Sequence, residues 1–117
     1  MADFVSDITS VLQNAARTGA AAASTAGRDL TGDIENFVVP KLKAIAIDVS
    51  DILDKRLSGI FSSDMAQAEL ASQCGAVMDL IRTVATLVVQ EVQLIYNAII
   101  GALGAAVNKA IGLALVP

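Results

Sequence analysis

The chain has 117 residues, a net charge of −4, 55% hydrophobic residues and 17% charged ones. That length holds one domain, and the acidic balance argues against a nucleic-acid partner. With no histidine and a single cysteine, the sequence has no Ser-His or Cys-His pair, no Cys/His metal set and no intrachain disulfide.

The hydrophobic excess over an ordinary soluble domain comes from Ala, Val, Ile and Leu, since only Phe4, Phe37, Phe61 and Tyr96 carry rings. Such a core relies on many small contacts, as close helix–helix packing does. Alternating runs bounded by hairpin turns are lacking. The chain therefore reads as all-α: an extended helical hairpin or three-helix arrangement with one long, mostly apolar C-terminal helix, assembled as an oligomer. The first residues, Met-Ala-Asp-Phe, lack the basic and apolar regions of a signal peptide. Synthesis in a cytoplasm is expected, with a membrane or a virion as the final site.

The first segment runs from about residue 3 to 26. Phe4, Ile8, Val11, Leu12 and Ala15 share one helical face. The pattern then dissolves into an alanine run from Gly19 to Gly27. Alanine favours helix, but the run has no large anchor. It reads equally as a thin helix pressed on a neighbour or as a connector. Arg28 to Asp33, with Gly27 and Gly32, reads as a turn.

A second helix is predicted over roughly 33–58, with Ile34, Val38, Leu42, Ile45, Val49, Ile52 and Leu53 in one stripe. Asp51 and Lys55 have the favourable i,i+4 order, and Gly59 supplies a stop. Pro40 predicts a kink or a restart. Asp48, Asp51 and Asp54 are spaced by three and wind across an exposed face, with no EF-hand pattern.

Ser62, Ser63 and Asp64 offer an N-cap, with Gln67 as a capping-box partner for Asp64. From there a helical pattern continues to about Leu115, about 78 Å if unbroken. A compact domain of this size has a radius of gyration of about 14 Å. The helix is thus expected either to break, at Gly101 and Gly104, or to project into an assembly. The division expected is an amphipathic region with an Ala/Gly-rich connector over 1–63 and the long apolar helix over 64–117. Fourteen of the charged side chains precede residue 64; only Asp64, Glu69, Asp79, Arg82, Glu91 and Lys109 follow.

The back half carries the most informative pattern. Ser72, Gly75, Asp79, Arg82, Thr86, Gln90, Gln93, Asn97, Gly101, Gly104 and Asn108 recur at a mean spacing of about 3.6, the period of a straight α-helix. Most other residues there are apolar, so this is a narrow polar line on an apolar cylinder. Asp79, Arg82, Thr86, Gln90, Gln93, Asn97 and Asn108 are the candidates to line a lumen or an inter-subunit contact. Ala98, Ala102, Ala106 and Ala110 repeat every four residues, with Gly101 and Ala105 beside them. That ridge is a candidate surface for close helix packing between copies. Val92 to Asn108 carries no formal charge, and continued to Leu115 it reaches bilayer length if Lys109 snorkels.

Glu91 stands on the apolar flank, where it needs a partner such as Lys41, Lys43 or a neighbouring subunit, unless it is a solvent-exposed rim position. Cys74 reads as small core filler. GxxxxGK[ST] and GxGxxG motifs are absent.

These features predict a non-enzymatic, self-assembling helical protein without cofactor or metal. The leading expectation is membrane association with formation of a pore or conduit, for example a virus ejection component. The alternative is a structural subunit of a soluble or virion helical assembly without membrane insertion. Expected partners are other copies of the chain, membrane lipid or a larger virion assembly. In general character the chain resembles small helical virion proteins and, less so, phasins, a likeness of composition with no motif behind it.

Overall fold

A computed structural model describes residues 4–115. Helix α1 covers Phe4–Ala23, α2 Thr31–Phe37, α3 Leu42–Leu57, α4 Ser63–Arg82 and α5 Val89–Ile111. A 3-10 turn at Val39–Lys41 joins α2 to α3. The four long helices form an elongated bundle of 50 × 23 × 20 Å with a radius of gyration of 14.3 Å. α5 packs chiefly on α1, and α4 chiefly on α3. The two sequence halves are therefore interleaved in space.

The alanine run is the thin helix of the two readings. Ile8 and Leu12 are buried as their spacing implies, and the buried line continues through Ala16, Gly19, Ala20 and Ala23. With no side chain beyond Cβ along this line, α5 approaches closely. A Cβ placed on Gly19 would lie 3.0 Å from both the Ala98 Cβ and the Ile95 Cα. The chain then turns through mutual backbone hydrogen bonds, Thr25 N–H to Arg28 (3.0 Å) and Arg28 N–H to Thr25 (2.9 Å). Ser24 Oγ accepts from Leu30 N–H at 3.0 Å. Leu30, 2% exposed, anchors the connector in the core.

The predicted second helix is two pieces. Pro40 sits in the 3-10 turn, and the helix restarts at Leu42, as a residue lacking an N–H and fixed in φ dictates. The stripe from Ile34 to Leu53 is buried along its whole length. α3 is followed by its C-cap Ser58 and then by Gly59, whose φ of +82° is left-handed and favours glycine. On its outer face Lys55 Nζ lies 2.9 Å from Asp51 Oδ2 and 5.3 Å from the Phe61 ring centre.

At the start of α4, Ser62 is the cap: its Oγ accepts from Met65 N–H at 3.2 Å. Gln67 is not its capping-box partner but reaches across the bundle, its Nε2 donating to the Ala114 carbonyl at 3.0 Å.

The expected 64–115 helix is broken at residues 83–88, not at Gly101 and Gly104, which lie inside α5. Glycine costs a helix about 1 kcal/mol, and burial of the Ile95, Ile99, Leu103 and Val107 line offsets it. The segment 83–88 is Thr-Val-Ala-Thr-Leu-Val. Its β-branched residues weaken helix, and Thr83 Oγ1 donates to the Leu80 carbonyl at 2.6 Å, closing the last turn of α4. The turned-back helix fits within the bundle. Its length therefore no longer demands cover by other copies.

Candidate functional site

Two features of α5 stand out: a clasp at its N-terminus and an uncharged outer face. The clasp begins with Glu91, in the first turn of α5 and 7% exposed. Its Oε2 accepts from Arg28 Nε at 2.6 Å and its Oε1 from Arg28 Nη2 at 2.8 Å. Glu91 Oε1 also accepts from the Val88 N–H at 2.9 Å, satisfying one of the free donors at the helix start. Arg28 Nη2 donates in addition to the Thr86 carbonyl. Thr86 Oγ1 in turn lies 3.2 Å from Asp33 Oδ2. Four residues from the α1–α2 connector, α2, the 83–88 loop and α5 are thereby tied at one pole of the bundle.

The partner of Glu91 is thus Arg28, and not Lys41 or Lys43, which are exposed where α3 begins. Nor is Glu91 a solvent-exposed rim residue. Arg28 lies 63 residues away in sequence, and only the fold of the connector brings it near. Sequence spacing carries no signal for that contact beyond the need of an apolar-flank carboxylate for a cation.

The Arg28 hydrogen bonds, and then the Val88 N–H, hold the Glu91 carboxyl down to about 2 from its ordinary 4.5, against the opposing effect of desolvation. A depressed folded-state value gives stability that is present above about pH 4.5 and lost as pH falls toward 2. Glu91→Gln should therefore melt below the wild type at pH 7, with the gap closing as pH drops from 5 to 2. Thermal melts across that range check this; a gap independent of pH contradicts it.

The predicted polar line falls on two helices, because the chain reverses between them. Asp79 and Arg82 end α4, Thr86 lies in the loop, and Gln90, Gln93, Asn97 and Asn108 are on α5; all seven are exposed. Gln93 Nε2 donates to Asn97 Oδ1 at 2.8 Å. Between Gln90 and Asn108 the only charged group on α5 is Glu91, which is turned inward.

The alanine ridge faces within the chain over much of its length. Ala98, Ala102, Ala106 and Ala110 are half-buried, while Gly101 and Ala105 are exposed. Ala98 meets Gly19. Ala106 and Ala110 line one wall of a groove of about 590 Å³, with Phe4, Ile8 and Val11 of α1 on the other. Cys74 is 1% exposed among core side chains, and burial pushes its thiol up. Among the described residues, no group of three or more acidic or cysteine side chains is placed to hold a metal ion.

Val89–Ile111 is long and apolar enough to cross a membrane. Comparison with protein-family models, with curated proteins and with solved structures found no match for this chain.

Proposed function

We propose that the protein is a non-enzymatic helical subunit that assembles with copies of itself or with a larger helical assembly, such as a virion. The observation that carries this reading is the outer face of α5. Gln90, Gln93, Leu94, Asn97, Gly101 and Ala105 are exposed and carry no charge. A solvent-facing helix surface ordinarily carries charged residues, and depletion of charge marks the centre of protein interfaces. At Gly101 and Ala105 the lack of a long side chain lets a second helix approach closely. The expected result is an oligomer, in buffer without detergent, whose mass by light scattering falls when Asn97→Lys and Gly101→Lys are combined, with circular dichroism unchanged. A chain that stays monomeric at all concentrations, or an oligomer indifferent to those charges, sinks the reading.

The length and apolarity of α5 favour a second reading, a membrane-associated protein that forms a pore or conduit. It predicts flotation with liposomes and release of an entrapped dye. Retention in the soluble fraction with no dye release counts against it.

A further inference from the structure

The helical register does not stop where the helix stops. Buried Leu70, Cys74, Val77, Ile81 and Val84 are followed, across the loop, by buried Glu91, Ile95 and Ile99. With Val88 included, successive members are three or four residues apart throughout, the spacing of one face of one helix. The exposed line does the same: Asp79, Arg82, Thr86, Gln90 and Gln93 keep that spacing through the break. Two helices joined by an unrelated loop have no reason to share phase on both faces. The loop Thr83–Val88 also contains neither Gly nor Pro, the residues that stop a helix outright.

In the closed chain the bend is held from outside by the clasp. Arg28 bonds the Thr86 carbonyl and Glu91, and Thr86 bonds Asp33. The contacts of α5 are mainly with α1 and much less with α4, its neighbour in the chain.

We propose that residues 63–111 have a second state, one continuous helix whose α5 portion docks on α1 of a second copy and receives that copy's α5 in return. This goes beyond the assembly reading above and shares with it only that copies associate: the exchange uses the face of α5 that meets α1 and leaves the uncharged outer face as it is. The continuous helix is about 73 Å long. Exchange remakes between chains the contacts now made within one: Ala98 against Gly19, and Glu91 with Arg28. Such swapping of an identical element needs no new interface, and a short hinge invites it. Val88, 52% exposed in the closed chain, falls on the buried row of the straight helix.

The hinge supplies the test. Leu87 N–H donates to the Val84 carbonyl at 3.1 Å, which places Ala85 at the first central position of the turn. Proline suits that position and forbids a continuous helix. In the wild type, native mass spectrometry is expected to show dimer. Spin labels at exposed Ser72 and Asn108, in a Cys74→Ala background, are expected to show a separation of about 54 Å in the straight helix. That exceeds the 50 Å length of the closed molecule, and its population should grow with concentration. Ala85→Pro is expected to abolish both while keeping the helix content. If that variant does not fold, Ala85→Gly should weaken the dimer about twenty-five-fold, about five-fold from each hinge. A folded Ala85→Pro chain that dimerises like the wild type overturns arm exchange but leaves assembly through the outer face standing. A wild-type chain that stays monomeric overturns both.

Discussion

Replacing Gly19 with leucine is expected to cost about 3 kcal/mol of folding stability, a fall of about 10 °C in melting temperature for a chain this long. At this position even a Cβ would lie 3.0 Å from the Ile95 backbone and from the Ala98 side chain. Neither atom is the end of a flexible side chain, so the helices themselves must separate. Separation loosens Ala16, Ala20 and Ala23, all at or below 4% exposure, which have no longer side chains with which to follow. Leucine has the better intrinsic helix propensity, by somewhat under 1 kcal/mol, and the packing loss must exceed that. Gly101→Ala is the matched control. A Cβ there meets nothing within 4 Å, so only propensity acts, and stability should rise by up to about 1 kcal/mol. Thermal or urea unfolding of the two variants checks the contrast. A Gly19→Leu chain that melts with the wild type places α1 elsewhere.

Why this contact was only half legible in the sequence is a physical matter. The α5 ridge at Ala98, Ala102, Ala106 and Ala110 is recognisable as a surface for close approach, but its spacing points as readily to a second copy as to α1 of the same chain. The complementary row on α1, Ala16, Gly19, Ala20 and Ala23, has no large residue to create a hydrophobic periodicity. Pattern reasoning works through contrast between large apolar and polar side chains, and an alanine run offers none. The stripe from Ile34 to Leu53, rich in that contrast, was legible to the residue and is buried throughout.

The break at 83–88 was hidden for a different reason. If the helix breaks rather than projects, sequence points to Gly101 and Gly104, the weakest helix formers, yet propensity counts for about 1 kcal/mol and packing overrides it. The bend is fixed by Arg28 and Asp33, which lie more than fifty residues from the loop they hold. Glu91 announced its need for a cation by its place on an apolar flank. Which cation answers it depends on the connector fold. Long-range polar contacts of this kind leave no local periodicity to read.

The direction in which α5 faces carries the second large effect. Ile99→Ala should destabilise by about 4 kcal/mol, near the upper end for deletion of a buried aliphatic side chain, and lower the melting temperature by about 15 °C. Ile99 is fully buried. Its one-turn neighbours on α5, Ile95 and Leu103, are themselves fully buried, so neither can turn into the cavity without leaving another behind, and the void persists unless the backbone moves. Leu94→Ala, five residues earlier, should shift stability by no more than about 0.5 kcal/mol, since Leu94 is 49% exposed and opens no cavity. The sign of the pair separates the two functional readings. A helix whose apolar residues are spent on α1 and α4 makes Ile99 matter for folding in plain buffer and leaves Leu94 for a partner. A helix built to lie in lipid treats both as contact residues, and liposome flotation should then weaken for Leu94→Ala as much as for Ile99→Ala. Unfolding and flotation measured on the same two variants therefore decide whether the most apolar helix of this chain is primarily a bundle core or a membrane element.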